Sequence, residues 1–273
     1  MRHAHIVANE RLGHQGSWGS AFGAGLKRHG WRVTSAPRPL PCDLLVMWGV
    51  RRREWIAAQR HAAGHMSVCI LERGYVADRF AWTSVSFGGL LNGRAEFRGP
   101  FEDPSRWDKY FSHLMHPWRS SGEYALIMEQ IPGDTAVFGV NLPDFYHRAK
   151  AAFARQMAVR VRPHPNLSPR QGKENIVSAL RSLARDLDGA KVVVTWNSNS
   201  GVDAVLAGVP TIAIDRGSMA WDVTGHNLAA IPPTPDRTAW AHRIAWCQYS
   251  RDEMESGYAW DMITSGVDAK EAA

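Results

Sequence analysis

The sequence predicts an α/β fold with parallel sheets, laid out as two successive halves. Short apolar runs alternate with helical patterns along most of the chain, the order that strand–helix–strand crossovers produce. The alternation starts near residue 3, dissolves between Asp78 and Ser121, and resumes at Tyr124, so the halves join near residues 118 to 123. With 273 residues, 45% of them hydrophobic, the chain can bury a large core as one large domain or two small ones.

"HAHIV" (residues 3–7) is the first predicted strand. A glycine-rich loop follows, then a helix through "SAFGAGLKRHG" that ends on Gly30, a plausible C-cap. "DLLVMWGV" reads as a strand, "RREWIAAQRHAAG" as a helix and "MSVCILERG" as a third strand. Residues 78 to 121 turn to Trp, Gly, Pro and charge, which marks a functional loop system or a domain edge. In the second half the strand "YALIMEQ" opens into "IPGD". The helix "PDFYHRAKAAFARQM" then leads to the strand "AVRVRPHPN". A helix around "KENIVSALRSLARDL" precedes the strand "KVVVT", and the helix "GVDAVLAG" precedes "PTIAID". From Asp236 the tail reads as two helices, "RTAWAHRIAWCQYS" and "RDEMESGYAWDMITSG". The expected domains are residues 1–120 and 121–235, with C-terminal helices over 236–273.

Lys and Arg number 32 against 26 Asp and Glu, a net charge of +6 that suits a nucleotide, a nucleic acid or an acidic glycan. Cys42, Cys69 and Cys247 are too few and too scattered for a disulfide framework or a zinc site. The N-terminus lacks the apolar stretch of a secretory signal, and no apolar run approaches the ~20 residues that span a bilayer. A soluble, cytoplasmic protein is expected. Of the twelve tryptophans, Trp18, Trp82, Trp107, Trp118, Trp196 and Trp221 sit beside charges or turns. Packing in the core and stacking on a sugar or base both suit them.

Ligands of parallel α/β sheets bind at the carboxyl ends of the strands. In "GHQGSWG" the spacing of Gly13, Gly16 and Gly19 is not that of a dinucleotide fingerprint. The stretch reads as a turn that admits substrate, with His14 a polar contact, or as a plain flexible turn. In "RPHP" two prolines aim Arg162 and His164, a pairing suited to a phosphate. The loop "TWNSNSGVDA" should stand beside it, with the hydroxyls of Ser198 and Ser200 and free N–H groups at a helix start offered to an anion. Ser200 and Asp203 also have the spacing of a capping box, which would account for the loop without a ligand. Asp134 in "EQIPGD" is a candidate nucleophile, base or sugar-hydroxyl acceptor, or simply a turn residue. Glu72 and Asp78 raise the same question, and Arg73 and Arg79 beside them offer structural ion pairs instead.

"EQIPGD", "RPHP" and "VVVTWNSNSGVDAVLAGVPTIAIDRGS", in that order, resemble the capsule polysaccharide biosynthesis family, a group of GT-B glycosyltransferases that includes Kdo transferases acting on capsular lipids. The resemblance covers residues 124 to 218. It implies a GT-B-like fold: two Rossmann-like parallel-sheet domains facing a cleft, with C-terminal helices crossing back. It also implies that His164 and Ser198, Asn199, Ser200 and Gly201 contact the donor phosphate, with Gln130 and Asp134 on the sugar side. Two departures stand out. Ile131 splits the family's Gln-Pro pair, and the first half is shorter than the family's acceptor domains, so the acceptor is not carried over.

The expected activity is transfer of a sugar from a UDP- or CMP-sugar to a hydroxyl, with no metal and no cofactor beyond that donor. Arg162, His164 and the helix dipole would neutralise the leaving phosphate, and Asp203 belongs to the same donor loop. Asp78, Glu72 or Asp134 would deprotonate the acceptor or attack the sugar. His14, Trp18, Trp82 and Arg94 would bind the acceptor. Basic charge, "RRREW" (51–55) and "NGRAEFR" (92–98) tip that acceptor toward a hydroxymethylated base in double-stranded DNA, as for small viral enzymes of this fold. A polysaccharide or glycolipid acceptor is the other choice. A nucleotide-sugar 2-epimerase and a non-catalytic binding protein are the competing classes.

Overall fold

Strands that are apolar on both faces build two sheets. The computed structural model describes residues 1–7, 13–50, 67–165 and 182–271, and the elements are numbered among these. In the first sheet β1 (His3–Val7), β2 (Arg32–Ala36), β3 (Leu44–Trp48) and β4 (Ser67–Arg73) run parallel. Two further strands extend it: β5 (Trp82–Phe87) lies antiparallel to β4, and β10 (Gln248–Ser250) antiparallel to β5, giving the order β10-β5-β4-β3-β1-β2. The second sheet is wholly parallel, in the order β7 (Ala158–Arg162), β6 (Tyr124–Met128), β8 (Ala190–Thr195), β9 (Thr211–Ala213). Alternate side chains of each strand feed opposite cores. Leu44 and Val46 pack with Ala4 and Ile6 on one face, Leu45 and Met47 with Ile70 on the other. Ala125 and Ile127 face one core of the second sheet, Tyr124, Leu126 and Met128 the other.

The helices are α1 (Gly13–Arg28), α2 (Ser105–Tyr110), α3 (Leu142–Phe153), α4 (Leu183–Asp188), α5 (Ser200–Leu206), α6 (Thr238–Ala245), α7 (Arg251–Ser256) and α8 (Tyr258–Glu271). The chain divides into one unit of residues 1–109 and 241–273 and another of residues 110–240. The predicted α/β architecture is therefore present, with two sheets and a C-terminal segment that returns to the first. Among the described residues no helix is long and apolar enough to cross a membrane.

Three local expectations are corrected. "GHQGSWG" is the start of α1 and not a loop, and its glycines answer to packing. A Cβ on Gly19 would come within 3.0 Å of Ile6, one on Gly23 within 2.7 Å of the same side chain, and one on Gly25 within 2.1 Å of the Met254 carbonyl. The stripe lets α1 lie close to β1 and to α7. Residues 78–121 are not formless, since they contain β5 and α2. The tail carries β10 between its helices. The predicted helices "RREWIAAQRHAAG" and "KENIVSALR", and the basic "RRREW", lie outside the described residues.

The return of the C-terminal segment is locked by Arg106. Its buried guanidinium donates to the Ala245 carbonyl at 2.9 Å, and to the Gln248 carbonyl and both carboxylate oxygens of Glu253 at 2.7 Å. Glu253 also closes the capping box that starts α7 on Ser250.

Candidate functional site

In the second sheet β6 connects outward to β7 and the chain then returns to β8 on the other side, so the strand order reverses between β6 and β8. Crevices outside the carboxyl ends of strands at such a reversal are where open α/β sheets bind ligands. Here that point is occupied by a buried polar network. Gln130, two residues past β6, donates from Nε2 to Asn197 Oδ1 at 2.7 Å, and its Oε1 accepts from the Asn197 amide at 3.0 Å. Asn197 Nδ2 donates to the Ala136 carbonyl (2.8 Å) and to Asp215 Oδ2 (2.9 Å), and Asp215 Oδ2 also accepts from the Gly217 amide. The Gln130 amide donates to the Tyr146 hydroxyl at 2.7 Å. The ends of β6, β8 and β9 and helix α3 are thus tied into one frame.

Burial sets the electrostatics of this frame. The Tyr146 hydroxyl is pushed up to about 12, first by burial and then by the Glu129 carboxylate, against the hydrogen bond from Gln130. Burial also raises the Glu129 carboxyl above the ordinary range, with Lys150 opposing.

The serine-rich loop hangs from this frame. The Ser198 amide donates to Thr195 Oγ1 (3.0 Å), and Ser198 Oγ accepts from the Ser200 amide (3.2 Å). The amides of Gly201 and Val202 bond to the carbonyls of Ser198 and Asn199. Free N–H groups were expected at this helix start; most are satisfied inside the loop. The expected capping box is also absent, because Ser200 is already helical and Ser198 does the capping work, while Asp203 sits in the first turn. With α5 only seven residues long, its dipole is small. What the loop presents is hydroxyl chemistry, since Ser198 Oγ, while accepting from Ser200, keeps its own proton to donate. Gly201 packs where a Cβ would come within 3.3 Å of Thr195.

The other predicted residues separate into groups. Asp134 caps a 3-10 turn by accepting from the Ala136 amide at 2.9 Å, and Ala136 is also bonded to Asn197, so this exposed carboxylate is placed by the frame. His164 lies two residues past β7, half-buried, after the buried Pro163. The Arg162 guanidinium forms an ion pair with Asp186, both side chains largely buried. Asp186 and Asp188 have the Asp-x-Asp spacing of a carboxylate pair, but Asp186 holds Arg162 and Asp188 faces Arg119.

In the first unit Glu72 is the penultimate residue of β4, next to Gly49 at the end of β3; its Oε1 accepts from the Arg73 amide. Asp78 is exposed in a turn, accepting from the Phe80 amide at 2.9 Å. The neighbouring arginines are engaged elsewhere, Arg73 over the Phe80 ring and Arg79 with the Gly74 carbonyl. Trp18 is a core residue of α1, which removes it from the acceptor set. Trp82 is half-buried beneath the Arg106 guanidinium. Arg94 is exposed in a 3-10 turn, while Arg98 in the same basic stretch pairs with Glu96 and covers Phe87. His14 is in the first turn of α1.

Sequence reasoning passed over Asn197, Tyr146, Thr195 and Asp215, which hold the site together. A signal existed for Thr195, three residues before Ser198 at the strand end.

No protein-family model and no curated protein matches the chain. Solved structures do. A Thermosulfurimonas dismutans KpsC beta Kdo 2,4 transferase superposes with a TM-score of 0.60 at 14% identity, covering 89% of each chain. The beta Kdo 2,7 transferase of the same KpsC gives 0.58 at 13% identity, covering 99% of this chain and 100% of the other. At these identities the likeness is one of fold, and the fold is GT-B.

Proposed function

We propose that the protein is a glycosyltransferase that moves a sugar from a nucleotide-sugar donor, a CMP- or UDP-sugar, to a hydroxyl acceptor. The observation that carries this reading is the buried Gln130–Asn197–Asp215 frame at the strand-order reversal of the second sheet, in a chain with the fold of two Kdo transferases. In this reading Ser198, Ser200 and His164 donate to the donor phosphate, with Asn199, Gly201 and Asp203 shaping the loop and Gln130 holding it. The acceptor oxygen attacks the anomeric carbon, the bond to the phosphate oxygen breaks, and the nucleotide leaves. Asp78, Glu72 or Asp134 takes the hydroxyl proton or first forms the glycosyl bond itself. No metal enters the reading, because hydroxyl and imidazole donors serve the leaving phosphate.

The acceptor is a saccharide hydroxyl or a hydroxymethylated base in duplex DNA. The names of the two structural relatives support the first; the charge of +6 supports the second. A nucleotide-sugar epimerase is the alternative, and it consumes donor with no acceptor present.

A thermal-shift panel of CMP, UDP, GDP and TDP sugars tests the donor site. A true donor at a hundredfold excess over its Kd adds about 2.7 kcal/mol of stability. If none of the four classes shifts the melting temperature, the reading is wrong. Duplex DNA and oligosaccharides, added with the responding donor, then separate the acceptors by which one receives label.

A further inference from the structure

The loop that carries Asp78 is built from the far end of the sequence. Gln248, in β10, is fully buried. Its Oε1 accepts from the amides of Tyr75 (2.6 Å) and Val76 (3.0 Å), and its Nε2 donates to the Val76 carbonyl at 3.1 Å. One side chain therefore stands in for a strand partner along residues 75–76. Position 74 admits only glycine, since a Cβ there would lie 2.6 Å from Trp82 Cβ and 2.9 Å from Gln248 Oε1. Arg79 ties the returning chain to the Gly74 carbonyl at 3.0 Å.

Beyond this anchor the loop changes character. Tyr75 and Val76 are buried; Ala77, Asp78, Arg79 and Phe80 are all exposed. Ala77 has φ of 62°, a conformation that strains a residue with a Cβ and persists only where its surroundings hold it. The backbone just before it is held by the three hydrogen bonds that Tyr75 and Val76 share with Gln248. The strained residue immediately precedes the carboxylate, so it sets the direction in which Asp78 leaves the sheet.

We infer that Gln248 is a positioning residue for the Asp78 carboxylate, acting through the backbone of residues 75–77. This rests on the proposed role of Asp78 in the transfer reaction. The inference accounts for a polar side chain that lies fully buried on an edge strand. Burying an amide without partners is costly, and here each of its bonds goes to one loop.

The test is a double-mutant cycle on the full chain, assayed by release of CMP or UDP from the donor sugar found in the thermal-shift panel. Gln248→Met keeps the side-chain length and removes the three hydrogen bonds. Gln248→Asn keeps the amide on a shorter stem, weakening the three hydrogen bonds without burying a charge, and serves as the variant that folds if Met does not. The expected result for Gln248→Met is a fall in kcat of about 10- to 100-fold, the range that a small misplacement of a reacting group produces. Donor affinity, read from the thermal shift, stays within about twofold of the parent, and Gln248→Asn falls between the parent and Gln248→Met. In an Asp78→Asn background the same change has no further effect on kcat, because the group it places is already gone.

Two results are kept apart. If Asp78→Asn turns over like the parent, the proposed role of Asp78 is overturned and the positioning role goes with it. If Asp78→Asn is impaired but Gln248→Met lowers kcat by the same factor in both backgrounds, the positioning role alone is overturned.

Discussion

Gln130 and Asn197 hold each other by two hydrogen bonds, one in each direction, across the point where the second sheet reverses its strand order. Both side chains are buried. Truncating either leaves the other with unpaired polar atoms, at about 1–3 kcal/mol each. Gln130→Ala and Asn197→Ala are therefore expected to be strongly non-additive, with a coupling of about 1–3 kcal/mol in denaturant unfolding. Additive losses would show that the two residues do not act as a unit.

Tyr146 receives the Gln130 amide and is a phenol raised to about 12. A group whose folded pKa is raised contributes stability that is complete below its ordinary value of 10.0 and lost as pH climbs through about 12. Tyr146→Phe removes both the bond and the titration. It should cost about 1–3 kcal/mol at neutral pH and flatten the fall in stability between pH 10 and 12. Urea melts across that range read both effects.

Glu129 titrates on the acid side by the same logic. Burial raises its carboxyl, so the ionised form is disfavoured in the folded state and the stabilising contribution is present only below its ordinary value of 4.5. Replacing it with Gln should raise the melting temperature at pH 7 and confer no advantage below pH 4.5. An equal gain at both pH values would mean that the carboxyl does not titrate differently on folding.

The glycines of α1 separate two kinds of crowding. At Gly25 a Cβ meets a backbone carbonyl at 2.1 Å, which cannot move without displacing α7. At Gly23 it meets the tip of Ile6 at 2.7 Å, and a side-chain tip can rotate. Alanine gains roughly 1 kcal/mol of helix propensity at either position. Gly23→Ala should come out close to neutral, whereas Gly25→Ala should lose about 2–3 kcal/mol to overpacking. Thermal melts of the pair decide it.

How far the sequence could be read follows from where each signal lies. Parallel strands such as that in "DLLVMWGV" announce themselves through an unbroken apolar run, Leu44–Trp48, and the helix ending at Gly30 announces itself through its cap, with φ of 75° there. The strand β5 escaped because "WTSVSF" lies among tryptophans and glycines that read as loop, although its Thr and Val favour a strand. The three residues of β10 are too few to show a period of two. In the site, the loop after β8 was legible by its composition. Its amide bonds were only half legible: Thr195 lies three positions before Ser198, but Gln130 is brought to Asn197 by the sheet. The ion-pair partner of Arg162 was hidden for the same reason: Asp186 is 24 positions away.

The interrupted first unit bears on the order in which a ribosome can finish this protein. Residues 110–240 form a continuous unit and can close as soon as they emerge, but residues 1–109 must wait for 241–273. Until then β5 is a bare sheet edge and α1 lacks the helix that its glycines accommodate. The usual N-to-C sequence of folding is thus inverted, with the middle maturing before the beginning. Nascent chains stalled after residue 240 should resist protease across the second unit while the first remains cleavable, and a cell making this protein has to shelter residues 1–109 until the last segment is synthesised.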